Sequence, residues 1–122
     1  MSSFPANARA LLIGVGDYIN PRFASLPATV RDAQAIAAVL ADSNRCGYLT
    51  ANVEVLTGEK ATAANIRTAL KGLANTATTD STVFVFFSGH GGRMPDDGIW
   101  RSYLCPREAD PSFLSRDGSL IG

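Results

Sequence analysis

Two short apolar runs, Ala10 to Val15 and Val83 to Phe87, contain only hydrophobic residues and glycine, and glycine and polar residues follow each run at once. Runs of this length predict β-strands buried on both faces, because a membrane span needs about 20 apolar residues. A strand without a polar face requires cover on both sides, so the chain must fold in layers.

The segments between these runs predict the covering layers. From Thr29 to Leu40, apolar residues recur at three- and four-residue spacing, which indicates an amphipathic helix. Val53 to Leu56 predicts another strand, and a second helix capped by Thr62 or a neighbour carries an apolar stripe of Ile66, Leu70 and Leu73. The order βαβαβ predicts an α/β fold with a mainly parallel sheet and right-handed crossovers, and helices packed on the faces of the sheet.

The rest of the chain gives weaker signals. Residues 91–98 are rich in glycine, proline and aspartate and predict a loop after the third strand, and Trp100 to Cys105 predicts one more short strand. Residues 111–122 have a mixed pattern. Neither repeats nor low-complexity tracts interrupt the sequence, so we expect a single domain.

Composition excludes several classes of function. Eleven Lys and Arg balance eleven Asp and Glu, which argues against a nucleic acid or an anionic membrane as partner. The N-terminus lacks the features of a secretory signal, so we expect a cytoplasmic protein. The two cysteines, Cys46 and Cys105, are too few for a disulfide framework and lack zinc-site spacing, so both are expected to be reduced thiols.

Ligands of open parallel sheets bind beyond the carboxyl ends of the strands. That edge should collect the residues that follow the three predicted strands, which are 16–18, 57–59 and 88–92. We expect the strands that begin near Ala10 and Val83 to be neighbours in the sheet. That arrangement would bring Asp17, Asp32 and His90 to one cleft.

His90 is the only histidine of the chain, and it follows the most hydrophobic strand with one glycine before it and two after. Glycines allow a substrate to approach the backbone closely and leave N–H groups available for an oxyanion. A histidine in this position suits a general base. The alternative is that His90 only ends a strand, with its ring hydrogen-bonded to a carbonyl; the glycine-rich setting favours catalysis.

The segment Val83-Phe-Val-Phe-Phe-Ser-Gly-His-Gly-Gly92 closely resembles the Ser-Gly-His-Gly strand of caspase-like cysteine peptidases of the metacaspase and orthocaspase kind. Four further segments are similar to other parts of that family: Ala10 to Tyr18, Leu26 to Ala33, Tyr103 to Pro106 and Arg116 to Leu120. The resemblance implies a caspase-like three-layer sandwich, of which residues 1–122 form the histidine-bearing N-terminal part.

The resemblance also implies an activity, which is hydrolysis of peptide bonds in a peptide or protein substrate by a Cys-His dyad without a metal or cofactor. His90 would be the base, and the backbone N–H of Gly91 would stabilise the oxyanion. Asp32, Ser88 and Thr29 would line a pocket for Arg or Lys, because a carboxylate pairs well with a guanidinium.

Some positions differ from the family pattern. Arg31 and Ala28 stand where metacaspases usually have asparagine and glycine, which could shift or partly fill the pocket. For Asp32, the alternative is a solvated acid near a helix N-terminus. Calcium is expected to have little effect, because Trp100 to Ser102 carries a cation where an acid is usual and Asp117 has a glycine beside it.

The nucleophile of the family follows an acidic residue on the next strand, about 50 residues after the histidine in caspases. Cys105 lies in a Leu-Cys-Pro segment and Cys46 at the opposite edge of the sheet, so neither is expected to be that nucleophile. We therefore expect this chain alone to be inactive, with the cysteine on a second chain or segment. Two alternatives remain: a pseudopeptidase that binds partners, and a phosphate-binding domain that uses Gly14, Gly16 and residues 91–92.

Overall fold

The computed structural model describes residues 7–110, except for the side chains of Met94 and Asp96. Its elements follow the predicted βαβαβ order and then add a hairpin. In chain order they are β1 (Arg9–Gly14), α1 (Ala28–Ala41), β2 (Val53–Thr57), α2 (Ala63–Thr76), β3 (Val83–Ser88), β4 (Gly91–Asp96) and β5 (Ile99–Leu104).

The main sheet is parallel and has the strand order β2-β1-β3. Leu12 of β1 lies between Val55 of β2 and Phe86 of β3 in the register. The prediction that the strands beginning near Ala10 and Val83 are neighbours is therefore confirmed. Because all three strands run the same way, their carboxyl ends form one edge, which we call the carboxyl edge.

Strand β1 is buried on both faces, as its sequence predicted. Leu11 and Ile13 pack with Ile66 of α2 in one core cluster, whereas Leu12 packs with Ala33 of α1 in another. Complete burial of one such leucine or isoleucine contributes about 1.5–3 kcal/mol. The two helices thus cover opposite faces of the sheet, and the predicted mixed α/β class with its mainly parallel sheet is confirmed.

Helix α2 begins with two caps. The Thr62 hydroxyl accepts a hydrogen bond from the Asn65 N–H at 3.2 Å, as the sequence indicated. The Glu108 carboxylate accepts a second one from the Ala63 N–H at 3.0 Å. A carboxylate is stabilised at this position by the helix dipole. The segment after β5 is thereby tied to the helix that covers the sheet.

The prediction of a loop over residues 91–98 is wrong. Residues 91–96 form β4, which pairs antiparallel with β5 in a separate two-stranded sheet. Asp97 and Gly98 connect them with φ angles of 52° and 80°, as a tight two-residue hairpin turn requires. The backbone pairing with β5 outweighs the low strand propensity of glycine and proline. On the hairpin, the Arg93 guanidinium lies 5.2 Å from the centre of the Trp100 ring.

Two glycines let the start of α1 pack directly on the end of β1. A Cβ at Gly14 would lie 2.5 Å from the Thr29 carbonyl oxygen, and a Cβ at Gly16 would lie 2.4 Å from that of Leu26. The Leu26 N–H also donates to the Gly16 carbonyl at 2.9 Å. The β1–α1 loop, residues 15–27, is therefore closed over the carboxyl edge.

Replacing Gly14 tests this close approach. We expect Gly14→Ala to lower the free energy of unfolding by about 1–3 kcal/mol, because the new methyl group overlaps a backbone oxygen that cannot move alone. Denaturant titration followed by circular dichroism measures the change. Gly72→Ala is the control, because a Cβ at this position of α2 would meet nothing within 4 Å beyond its chain neighbours and the local helix backbone, and it should be neutral or stabilise by up to about 1 kcal/mol. Equal effects at both positions would contradict the packing argument.

Candidate active site

His90 lies at the carboxyl edge, two residues after the end of β3. Its ring Nε2 is 2.9 Å from the carbonyl oxygen of Ala24. The rings of Tyr18 and Phe23 flank it, with centroids 5.0 and 5.3 Å away. A carbonyl only accepts hydrogen bonds, so Nε2 carries the proton and Nδ1 of the neutral ring keeps a lone pair. The β1–α1 loop thus fixes both the orientation and the tautomer of His90.

The N–H of Gly91 is directed away from the hairpin partner. His90 and Cys105 form a hydrogen-bonded type of pair, in which the Cys105 N–H donates to the His90 carbonyl at 3.0 Å. In an antiparallel ladder the next pair, Gly91 with Leu104, is a non-hydrogen-bonded pair. The Gly91 N–H therefore faces outward, one residue from the imidazole.

Tyr18 connects the loop to the hairpin through its hydroxyl. The hydroxyl accepts a hydrogen bond from the His90 N–H and donates one to the Cys105 carbonyl, each at 2.8 Å. The side chain is only 8% exposed. Its burial raises the pKa of Tyr18 to about 12, so the hydroxyl stays protonated at neutral pH and can donate.

Ser88 and Thr29 both lie beside Gly14. Ser88 pairs with Gly14 across β3 and β1, and its carbonyl accepts from the Val15 N–H at 2.8 Å. Thr29 is buried, and its hydroxyl donates to the Leu26 carbonyl at 2.9 Å. Two of the three pocket residues implied by the resemblance are thus on adjacent elements at the carboxyl edge.

The acidic residues of the expected cleft are exposed. Asp32 lies about one helical turn after Thr29 on α1, which begins at the carboxyl edge. Asp17 follows β1 and lies 3.8 Å from the Arg107 guanidinium. Within residues 7–110, the polar contacts of His90 are with Tyr18 and with backbone atoms rather than with either carboxylate.

The two cysteines occupy different cores. Cys105 is 3% exposed in the cluster under α2, and its burial raises the pKa of the thiol above its usual value. Cys46 is half-buried in the turn after α1, at the edge of the sheet opposite His90. Cys105 therefore contacts His90 through its backbone, whereas its thiol lies protonated in the core.

Among the described side chains of residues 7–110, no group of three His, Cys, Asp or Glu could hold a metal ion. Asp117 and the segment Arg116 to Leu120 lie outside the described residues, so the expected weak effect of calcium stays a prediction. None of the described helices is long and apolar enough to cross a membrane.

Sequence reasoning missed the residues that hold His90. Ala24 acts through its carbonyl oxygen, and every residue has one, so the residue type does not indicate this contact. Phe23 lies in a loop without periodicity. Tyr18 was expected at the carboxyl edge with residues 16–18, but its contact with the His90 backbone was not predicted.

The sequence matches a known class of domain. The family model described as the caspase domain matches residues 7–119, and the chain belongs to this family. It is 33% identical over 101 residues to metacaspase-1B of Aspergillus fumigatus, an alignment that covers 78% of this chain and 24% of the relative. It is 35% identical over 101 residues to metacaspase-1 of Eremothecium gossypii, covering 78% and 22%. The chain thus spans about a quarter of the length of these relatives.

Proposed function

We propose that this chain supplies the catalytic base and an oxyanion donor of a cysteine endopeptidase that cleaves after Arg or Lys. Membership of the caspase-domain family supports the reaction class. A hydrogen bond from the ring to a carbonyl is also expected of a structural histidine, and His90 Nε2 makes one with Ala24. The observation that carries the assignment is that this bond engages only Nε2, so the Nδ1 lone pair stays available as a base.

In this mechanism Nδ1 of His90 takes the proton of a cysteine thiol, and the thiolate attacks the scissile carbonyl. The imidazolium then gives the proton to the leaving amine. The outward N–H of Gly91 donates to the negative oxygen that develops during attack. Because Gly91 directly follows His90 in the chain, one short segment serves both proton transfer and stabilisation of the oxyanion.

The substrate preference rests on the charge at the start of α1. Asp32 is an exposed carboxylate one turn from Thr29, and Thr29 and Ser88 both lie beside Gly14. A carboxylate in this position favours a substrate guanidinium or ammonium and disfavours an acidic side chain. Thr29 would contribute to the shape of the pocket, since its hydroxyl is already bonded to Leu26.

The nucleophile would come from a segment outside residues 7–110 that pairs with the open edge of β3. The Arg9 N–H donates to the Thr82 carbonyl and the Val15 N–H to the Ser88 carbonyl. This register directs the even-numbered residues of β3 toward β1. The outer edge then presents the N–H and C=O groups of Val83, Val85 and Phe87. A parallel strand added there would end beside His90.

Exposure of β3 supports the same proposal. Val85 on the α2 side of the sheet is 49% exposed, and Phe84 on the α1 side is 37% exposed. An exposed apolar edge strand is normally covered or paired in a native protein. Here the first half of β3 is exposed on both faces, whereas Phe86 and Phe87 pack against the two core clusters. Such exposure is expected of a strand that pairs with a further strand.

A pseudopeptidase that binds partners is the second candidate. It is favoured by one observation, that the thiol of the cysteine nearest His90, Cys105, is buried in the core. The two candidates differ in whether the complete protein contains a thiol that His90 activates. Labelling of the complete protein by a peptide inhibitor that alkylates thiols, with loss of labelling in His90→Ala, would select the peptidase.

The base assignment predicts a large loss of activity in His90→Ala. In the complete protein we expect kcat/KM to fall about 10²–10⁴-fold, because proton transfer is lost, while the melting temperature changes little. Free imidazole should restore part of the rate, since the ring it replaces is half-buried and accessible, and acetate should not. Near-normal turnover in the variant would rule out His90 as the base.

The pocket predicts that Asp32→Asn removes the preference for basic substrates. We expect kcat/KM for an arginyl substrate to fall about 10- to 100-fold, and the ratio between arginyl and citrullyl substrates to approach one. Asp42→Asn is the matched control, because it removes the same charge from the residue at the other end of α1. If the two variants lower the ratio equally, the effect is long-range and the pocket assignment is wrong.

The open edge predicts that Val85→Pro blocks assembly of the active site. Proline is tolerated on an edge strand where its missing N–H would face outward, so this chain should keep its circular dichroism spectrum. The complete protein should lose peptidase activity, because a neighbouring strand can no longer pair at that position. Val55→Pro makes the same change on the opposite edge strand, β2, and should leave activity largely intact. Full activity of Val85→Pro would contradict pairing along β3.

A further inference from the structure

The last rung of the β4–β5 ladder is the pair His90–Cys105. It is open, in the sense that one of its two direct backbone hydrogen bonds is missing. His90 and Cys105 would exchange two backbone hydrogen bonds in a regular antiparallel ladder. One of them is present, from the Cys105 N–H to the His90 carbonyl at 3.0 Å. In place of the other, the Tyr18 hydroxyl lies between the His90 N–H and the Cys105 carbonyl, at 2.8 Å from each.

The residue before the histidine is adapted to this hydroxyl. A Cβ at Gly89 would lie 2.9 Å from the Tyr18 hydroxyl oxygen and 3.0 Å from the Phe87 ring. Any larger residue at position 89 would therefore push against the inserted hydroxyl. Tyr18 itself is held by the core under α2 and by the Phe23 ring at 4.9 Å. Its hydroxyl has little freedom to move aside.

We propose that Tyr18 is a positioning residue for His90, because its hydroxyl keeps the His90–Cys105 rung open. The inserted hydroxyl holds the His90 backbone away from β5 and toward the β1–α1 loop, where Nε2 reaches the Ala24 carbonyl. Without the hydroxyl, the His90 N–H and the Cys105 carbonyl can pair directly, which moves His90 toward β5 and lengthens the contact with Ala24. The consequence for the reaction rests on the proposed peptidase function, whereas the geometric effect does not.

Tyr18→Phe isolates the hydroxyl, because the ring that packs on His90 is retained. His90 is the only histidine, so its imidazole nitrogens give an unambiguous ¹⁵N NMR signature in this chain. The unchanged protein should show a single neutral tautomer with the proton on Nε2. Tyr18→Phe should give a mixture of tautomers and a changed amide shift for His90. Tyr48→Phe, which alters a buried tyrosine of the other core cluster, should leave both signals unchanged.

Kinetics of the complete protein test the catalytic consequence. A displaced base affects the chemical step, so Tyr18→Phe should lower kcat roughly 10- to 100-fold with KM changed less than about two-fold. Tyr48→Phe should not lower kcat in this way. An unchanged tautomer together with unchanged kcat would overturn the proposal. A tautomer change combined with normal turnover in His90→Ala would instead rule out His90 as the base of the proposed peptidase and leave the positioning role supported.

Gly89→Ala provides an independent route to the same displacement. Alone, it should reproduce the mixture of tautomers, because its methyl group pushes the Tyr18 hydroxyl out of the rung. Added to Tyr18→Phe, it should change the His90 signals little further, because the hydroxyl is already gone. The contact with Phe87 is present in both backgrounds and therefore cancels in the comparison. Fully additive effects would show that the two residues act separately and would overturn the mechanism.

Discussion

The close approach between the first turn of α1 and the end of β1 determines the rest of the structure. Gly14 and Gly16 allow it, since a methyl group at either position would overlap the backbone of residues 26–29. With α1 placed there, the loop between the two elements cannot extend into solvent and folds back over the carboxyl edge. That loop carries the Tyr18 hydroxyl and the Ala24 carbonyl to His90. Close packing in the core thereby determines the geometry of the site.

The layered fold could be predicted because its information is local. The run from Ala10 to Val15 has no polar face, and the spacing in α1 and α2 matches a helix packed on a sheet. The hairpin was missed because glycine and proline in β4 have low strand propensity and the pairing that stabilises it is with β5. A signal was nevertheless present, because Asp97-Gly98 is a dipeptide typical of two-residue hairpin turns.

The site could be predicted only where a side chain itself carries the chemistry. His90 was recognisable as a lone histidine after a core strand, and Cys105 as a reduced thiol that is not the expected nucleophile. Their relation to each other was not predictable, because it runs through backbone N–H and C=O groups and one tyrosine hydroxyl. Sequence patterns report which side chains are present, and they do not report which main-chain groups lack a partner.

Within residues 7–110, the contacts that orient His90 come from the segment between Tyr18 and Cys105. The entropy of fixing the imidazole is therefore lost when this domain folds and not when a nucleophile arrives. Under the proposed function, the strand that brings the thiol needs to supply only its own position, and the base is oriented beforehand. Pairing along β3 then becomes the step that decides whether the site is complete. A preorganised base beside an open, apolar strand edge suits a peptidase whose activity depends on assembly.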